Sequence, residues 1–429
     1  MRTIGVGLVG LGTVGSGVVE ILRAHSEDFS RRAGVDIELV RVADRDPLRG
    51  QALNLPEGVF VTDAAEVISD ARVDIVIELI GGTNAAKVVV LAALNAGKSV
   101  VTANKALMAS SGQEVMDAAA KAGVDIMFEA SVGGGIPIIG PLKHSLVSNE
   151  ILSVMGIVNG TTNYMLTRMA DDGLDYESAL AEAQAKGFAE ADPTADVDGH
   201  DAAAKIAILA SIAFNSRVTV DRVPVEGIRG IKPIDIAYAA EMGYAIKLMA
   251  IARRESDGID IRVHPTMIPV AHPLASVSGV YNAIYVTGDA VGETMFFGEG
   301  AGSLPAASAV VGDVIEVARH IRSSCLNLVG CTCNEHLPLR DLSQLETGYF
   351  IRFAVADRPG VLAAVASKFG DHGVSIASVI QKRVCESGDA EIVYVTHRAA
   401  EGAVRDALAD IGQLDVVTEV AAVIRVEDL

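Results

Sequence analysis

The sequence predicts an α/β chain: a doubly wound parallel sheet first, an α+β segment in the middle and a split βαβ module at the end. Three observations carry this reading. Over the first 130 residues, β-type apolar runs alternate with helical runs across glycine-punctuated turns, the order of a parallel sheet covered on both faces. At Gly133-Gly134-Gly135-Ile136-Pro137 that alternation stops. From Thr347 the order β-α-β-β-α-β appears, a split βαβ unit. The chain has 429 residues, enough for two to four domains at about 100–200 residues each. Half of the residues are apolar and 21% are charged, so a large core can be buried and intrinsic disorder is excluded. The net charge of −20 argues against a nucleic-acid surface, which needs a basic footprint.

The first run, Ile4–Val9, is followed by Gly10-Leu11-Gly12-Thr13-Val14-Gly15 and then by Val18-Val19-Glu20-Ile21-Leu22, apolar at helical spacing. Six glycines interrupt residues 5–17, which breaks the continuous apolar stretch of a signal peptide. No two of these glycines are four apart, so the spacing of a dimerising membrane helix is missing too. Strand, tight turn and helix around GxGxxG is the context of a dinucleotide-binding Rossmann fold. Gly10 turns the chain, Gly12 lets a pyrophosphate approach the backbone and Gly15 lets helix and strand pack closely. Exposed N–H groups and the helix dipole favour the anion.

The second strand, Ile37–Ala43, ends in Asp44-Arg45-Asp46. A carboxylate there binds the ribose hydroxyls of NAD, and an arginine accommodates the extra phosphate of NADP. Both residues are present, so both cofactors stay open, with Asp44 favouring NAD. Val73–Leu79 is a near-continuous apolar run suited to a buried parallel strand. A helix over Ala85–Ala96, the strand Ser99–Thr102, a helix over Gly112–Ala122 and the strand Asp125–Glu129 follow. Ligands on such sheets lie beyond the carboxyl ends of the strands, so Gly81–Asn84, Ala103-Asn104-Lys105 and Glu129-Ala130-Ser131 are expected at one crevice.

The middle segment reads as a helix around Pro141–Val147, a strand Leu152–Val158, and Asn159-Gly160-Thr161-Thr162-Asn163 opening a helix. Residues 176–215 are helical, broken by an acid-rich loop. A long helix is expected at Asp235–Arg253, among β-like runs at Ile261–Val263 and Ala283–Val286. His336–Glu346 is a polar linker containing Pro338. Apolar content in the middle segment and the split βαβ tail imply a homo-oligomer.

The richest chemistry lies in GFAEADPTADVDGHDAAAK, residues 187–205. Its acids do not fit a calcium loop, because alignment on Gly199 puts Lys205 where a bidentate acid belongs. Asp201 and Lys205, four apart, share one helix face. An exposed pair of this kind is an ordinary ion pair, but this helix is otherwise apolar, which brings the lysine near a core. Carboxylates around a lysine suit a zwitterionic substrate. Lys105, after a buried strand, is the second candidate, since reduction of an aldehyde needs a donor to the developing alkoxide. A lysine in that role gains from a pKa below its ordinary value of about 10.4. The residues alone do not decide which lysine donates. Cys331 and Cys333 form a lone CxC, read as two small thiols rather than as zinc ligands. The absence of a disulfide framework places the chain in the cytoplasm.

GKSVVTANKALM (97–108), FEASVGGGIPII (128–139), GIVNGTTNYML (156–166), the stretch 187–205 and GEGAGSLPAASAVVGD (298–313), in this order, resemble the homoserine dehydrogenase family. ADRPGVLAAVASKF (356–369) resembles an ACT domain. The resemblance implies NAD(P)-dependent interconversion of L-aspartate 4-semialdehyde and L-homoserine, on the way to threonine and methionine. It implies Lys205 as the acid/base residue with Lys105 as its partner, and Glu190, Asp196 and Asp201 as substrate acids. It implies cofactor contacts at Gly187 and Gly302, and a structural Na⁺ or K⁺ site at Glu129 with the carbonyls of Val132, Gly134 and Ile136. Threonine is the expected effector, around Asp357, Arg358, Pro359, Gly360, Val361 and Leu362. The expected division is a dinucleotide domain at 1–131, to which 300–335 returns in family structures, a substrate and dimerisation domain at 132–299, and an ACT-like domain at 347–429. ADRD at 43–46 departs from the family form, where an apolar residue precedes arginine and aspartate. A dehydrogenase of another aspartate-derived amino acid and a catalytically silent sensor are the other readings.

Overall fold

The computed structural model describes residues 3–328, 330–384 and 389–427. It divides into two compact units: Met1–Val154 with Ala204–Arg222 and Tyr281–Leu337, and Met155–Ala203 with Val223–Val280 and Pro338–Leu429.

The first unit is built on six parallel strands: β1 (Thr3–Val9), β2 (Asp36–Ala43), β3 (Phe60–Val61), β4 (Ile75–Glu78), β5 (Ser99–Thr102) and β6 (Ile126–Met127). Their order is β3-β2-β1-β4-β5-β6, the doubly wound arrangement whose switch point lies at β1 and β4. Helices α1 (Thr13–Ala24), α2 (Ser26–Ala33), α3 (Pro47–Ala52), α4 (Ala64–Ser69), α5 (Asn84–Asn95) and α6 (Lys105–Ala122) make the connections. Ile4, Val6 and Leu8 of β1 and Ile75 and Ile77 of β4 are fully buried, as strands covered on both faces require. One side of this core is closed by Val18, Val19 and Leu22 of α1 together with Val310, Val311, Val314 and Val317.

The chain then runs through β7 (Ile151–Ile157), α7 (Gly160–Asp172), α8 (Tyr176–Ala185), α9 (Thr194–Val197), α10 (His200–Ala213) and α11 (Pro233–Glu241). Long strands β8 (Tyr244–Glu255) and β9 (Gly258–Pro269) and the hairpin β10 (Tyr281–Gly288) and β11 (Gly292–Glu299) lead to α12 (Ser303–Ser323). α12 supplies the four valines just named. The tail is β12 (Glu346–Ala356), α13 (Val361–Asp371), β13 (Ile376–Val384), β14 (Asp389–Thr396), the short β15 (Ala399–Ala400), α14 (Glu401–Ile411) and β16 (Val417–Val426). Its core joins Ile351 and Phe353 of β12, Val365 and Phe369 of α13, Tyr394 of β14 and Val404 and Ile411 of α14.

Within the second unit β8 and β9 are antiparallel, β16 lies parallel to β9 with Arg425 opposite Thr266, and β12 pairs with both β16 and β14. Two sequence expectations change here. The long helix at Asp235–Arg253 is a helix that ends at Glu241 and a strand that begins at Tyr244. Gly243 adopts φ +82, a left-handed stop after the helix. The apolar run beyond it is a strand buried on both faces, which periodicity alone does not separate from a buried helix. The helix expected from Gly112 begins at Lys105. Ser110-Ser111-Gly112 reads as a breaker, yet Ser110 Oγ donates to the carbonyl of Ala106, 2.7 Å away, and the helix runs through it.

Candidate active site

The nucleotide cradle belongs to the first unit. Gly10 turns the chain at φ +105, and a Cβ on Gly15 would stand 2.0 Å from the Gly10 carbonyl oxygen. Gly12 caps α1 with no side chain, and nothing lies within 4 Å of where its Cβ would be. The turn thus opens on space suited to a pyrophosphate facing helix N–H groups. Thr13 is exposed and Val14 half-buried at the rim. Gly302, at φ +127, caps α12, and Ser303 Oγ donates to the Thr13 carbonyl at 2.7 Å. Gly302 is thereby brought to the glycine turn.

Asp44 is committed to the backbone. Its Oδ2 accepts from Leu11 N–H at 2.7 Å and its Oδ1 from Asp46 N–H at 2.9 Å. Burial raises its pKa, but these two bonds and Arg49 outweigh it and leave the carboxyl below its ordinary value. Arg45 is exposed beside it.

Lys105 is the first residue of α6, half-buried. Its position is set by residues to which sequence reasoning gave no role of their own. Asn104 caps the helix: its Oδ1 accepts from Leu107 N–H at 3.0 Å, and its Nδ2 donates to the Gly82 carbonyl at 2.6 Å. Two of the three strand ends expected at one crevice are tied together by that last bond. Beneath lies Glu78, with no exposed surface. It accepts from Thr102 Oγ1 at 2.7 Å and from Ile80 N–H at 2.8 Å. Burial pushes its pKa up, against the hydrogen bonds that lower it. An acid after the apolar stretch IVI inside the run VDIVIEL was the signal available for it.

Lys205 lies on α10, in the part of that helix belonging to the first unit, and is 8% exposed. Met108, Ala109 and Gly112 of α6 and Ile208, Ser211 and Ile212 of α10 line one small cavity. The two lysine-bearing helices therefore share a boundary, each lining it from one turn beyond its lysine.

The acids belong to the second unit. Asn159 caps α7, and its Nδ2 donates to Asp196 Oδ1 at 2.6 Å and to Asp201 Oδ2 at 2.9 Å. One amide thus gathers two of the three expected substrate acids. Thr161 Oγ1 adds a bond to the Phe188 carbonyl at 2.6 Å. Asp201 is buried and Asp196 half-buried, while Glu190 is exposed on the loop after α8. Gln184 Nε2 donates to the Glu190 carbonyl at 3.0 Å. Gly187, at φ +75, turns the chain after α8. Asn159 is a further residue that sequence reasoning did not single out. Its signal was the Asn-Gly-Thr-Thr opening of a helix.

Glu129 holds a loop of the first unit. Its Oε1 accepts from Ile138 and Ile139 N–H at 2.6 and 2.7 Å, and its Oε2 from Gly140 N–H at 2.6 Å. Gly133 and Gly134 in the same loop have φ 75 and 57, which turns the segment bearing the carbonyls of Val132, Gly134 and Ile136. Asp313 Oδ2 accepts from Glu129 N–H at 2.9 Å. Its pKa is raised well above the ordinary value, first by its enclosure and then by the Glu129 charge. Among the described residues, no three His, Cys, Asp or Glu side chains are grouped to hold a metal ion.

In the tail, Asp357, Arg358, Pro359, Gly360, Val361 and Leu362 line a cavity of about 330 Å³ that Gln381 and Ile392 complete. No helix among the described residues is long and apolar enough to cross a membrane.

Comparison with known proteins shows the family. The family model for homoserine dehydrogenase matches residues 137–315, that for the homoserine dehydrogenase NAD-binding domain residues 10–129, and that for the ACT domain residues 349–416. Homoserine dehydrogenase of Synechocystis sp. is 48% identical over 99% of both chains. That of Bacillus subtilis is 43% identical over 100% of this chain and 99% of its own. The crystal structure of a homoserine dehydrogenase from Thiobacillus denitrificans superposes with a TM-score of 0.95 at 43% identity, over 100% of this chain and 99% of its own. A hyperthermophilic archaeal homoserine dehydrogenase in complex with NADPH matches 74% of this chain and 98% of its own, with a TM-score of 0.62 at 28% identity. This chain belongs to the homoserine dehydrogenase family of NAD(P)-dependent oxidoreductases acting on a CH–OH group, and it carries an ACT domain.

Proposed function

We propose that Lys205 is the acid/base residue of homoserine oxidation and Lys105 its partner at the substrate oxygen. The observation that carries this is the shared boundary of α6 and α10, which sets the two lysines one turn beyond a common cavity. Lys205 takes the hydroxyl proton when homoserine is oxidised and returns it when the aldehyde is reduced. Lys105, fixed at a helix start by Asn104, stabilises negative charge on the oxygen. Asp196 and Asp201, gathered by Asn159, and Glu190 on the neighbouring loop bind the polar groups of the amino-acid end. Bound nicotinamide supplies the hydride acceptor or donor.

The cofactor held by Gly10, Gly12, Thr13, Val14 and Gly15, with Gly187 and Gly302 as further contacts, is NADP in preference to NAD. Asp44 is already bonded to two backbone N–H groups and meets Arg49, which favours exposed Arg45 as the residue that meets a ribose phosphate. This reverses the preference that Asp44 alone gives. A Na⁺ or K⁺ ion is held by the carbonyls of Val132, Gly134 and Ile136. Hard oxygens on a glycine turn suit such an ion. With three N–H groups on its carboxylate, Glu129 chiefly shapes that loop.

Threonine binds the cavity at 357–362 and inhibits. Lying in the cytoplasm as a homo-oligomer, the chain works as a nucleotide domain at 1–131 with 300–335, a substrate domain at 132–299 and a regulatory domain at 347–429. The test is the initial rate of homoserine oxidation with NADP⁺ and with NAD⁺, each with and without threonine. Faster turnover with NADP⁺ and inhibition by threonine are expected. A preference for NAD⁺ overturns the role of Arg45, and indifference to millimolar threonine overturns the effector.

A further inference from the structure

Cys331 and Cys333 follow α12 in the first unit, and homoserine oxidation assigns them no role. Cys331 is exposed and Cys333 half-buried. The carbonyl of Thr332 accepts from Asn334 N–H at 2.7 Å, a tight turn around Cys333. Cys333, two residues on, is the neighbour that bears most on the Cys331 thiol. The two side chains line one cavity.

Their surroundings are cationic and tied to the catalytic helices. Cys333 Sγ lies 3.5 Å from the Ser211 carbonyl, near the end of α10. Both cysteines line the cavity between α6 and α10, together with Lys143 and Arg217. The neighbouring Cys333, with help from Arg217 and Lys143 and against burial, pulls the Cys331 thiol down to about 6. Cys331 and burial drive the Cys333 thiol up. A thiol held below its ordinary value beside one held above it is the pairing that a peroxide-reactive site needs.

We propose that Cys331 and Cys333 form a peroxide-sensitive dithiol, with Cys331 the attacking and Cys333 the resolving sulfur, whose reversible disulfide lowers turnover. The Cys331 thiolate attacks hydrogen peroxide. An S–O bond forms, the O–O bond breaks, and sulfenic acid and hydroxide result. The Cys333 sulfur then displaces the sulfenic oxygen. The S–S bond forms, the S–O bond breaks, and the oxygen leaves as water with the thiol proton. Two electrons pass from the pair to peroxide, and a dithiol reductant returns them. Closing the bond brings the sulfurs to about 2.05 Å. It also takes from Ser211 the thiol at the cavity that both lysine helices line. Interiors packed at crystal density pass such shifts on.

The full chain is treated with hydrogen peroxide, digested without reductant and weighed, while homoserine oxidation is followed in parallel. In the wild type the peptide carrying residues 331–333 is expected to lose the mass of two hydrogens. Turnover is expected to fall several-fold, and dithiothreitol to restore both. Cys331→Ser is expected to keep its turnover under the same dose. Cys333→Ser is expected to stop at a Cys331 sulfenic acid that dimedone labels. The proposal is overturned if the pair stays reduced at a dose that oxidises Cys325 or Cys385. A disulfide that leaves turnover unchanged overturns it too, as does equal inactivation of Cys331→Ser.

Discussion

Asp44 shows how a side chain's partners decide its role. At the tip of the second strand a carboxylate reads as a ribose ligand, and its composition says nothing more. Its oxygens also bind Leu11 and Asp46 N–H, and Leu11 is 33 residues away, beyond any local pattern. The glycines of the turn were legible because each answers a backbone demand that the spacing itself expresses. Lys105 and Lys205 were legible as residues expensive to place near a core, and the acids as a cluster beside one of them. Asn104, Asn159 and Glu78 were not, because each works through bonds to segments distant in sequence. The cofactor assignment makes the sharpest residue-scale prediction. Arg45→Ala is expected to raise KM for NADP⁺ about tenfold, the loss of one charge-assisted phosphate contact, and to leave KM for NAD⁺ near its wild-type value. Equal effects on both cofactors in steady-state kinetics would remove Arg45 from the phosphate site.

Elements were read well where period and punctuation agreed. Ser99–Thr102 was bounded to the residue, and the β-α-β-β-α-β order of the tail is the observed one. The failure at 235–253 has a plain cause: Ile246–Ala252 is buried throughout, so it has no polar face to reveal its period. Between α7 and α8 a cluster holds two helices together. Glu182 accepts from Tyr164 Oη at 2.8 Å and from Arg168 Nε at 3.1 Å, with Lys186 beside it at 2.6 Å. The bonds from Lys186, Tyr164 and Arg168 pull its pKa from 4.5 down to about 2. A depressed folded-state pKa contributes stability above the unfolded value that is lost as pH falls through the folded one. Glu182→Gln is therefore expected to lower Tm at neutral pH, with the gap to wild type closing between pH 4.5 and about 2. Thermal melts across that range check it. A gap independent of pH would mean that the carboxylate charge plays no part.

At the scale of the molecule, the second unit joins the tail to the middle of the chain through charge buried in its sheet. Arg262, on β9, is fully buried. It is paired with Asp260 on its own strand and with Glu427 just beyond β16. Arg253 reaches Glu427 at 2.9 Å, and Arg425 bridges Glu226 and Glu401 at 2.7–2.8 Å. Nearby, Arg352 of β12 meets Asp235 of α11 at 2.7 Å. Nothing local in the sequence announced this, since each partner lies more than a hundred residues from its counterpart or on a strand whose neighbour was unknown. Breaking a buried pair by deleting one side costs about 3–5 kcal/mol. Glu427→Ala is expected to destabilise the protein on that scale in denaturant melts, and Glu427→Gln by less, because the amide still accepts a hydrogen bond from Arg262. Two variants indistinguishable from wild type would show that the network contributes nothing to holding the tail.

The proposed chemistry turns on Lys205. The most direct measurement is kcat for homoserine oxidation by Lys205→Ala with saturating NADP⁺, alongside cofactor binding by the same variant. A fall of about 10²–10⁴-fold in kcat, with cofactor affinity retained, is the predicted result. Turnover close to wild type would contradict the account.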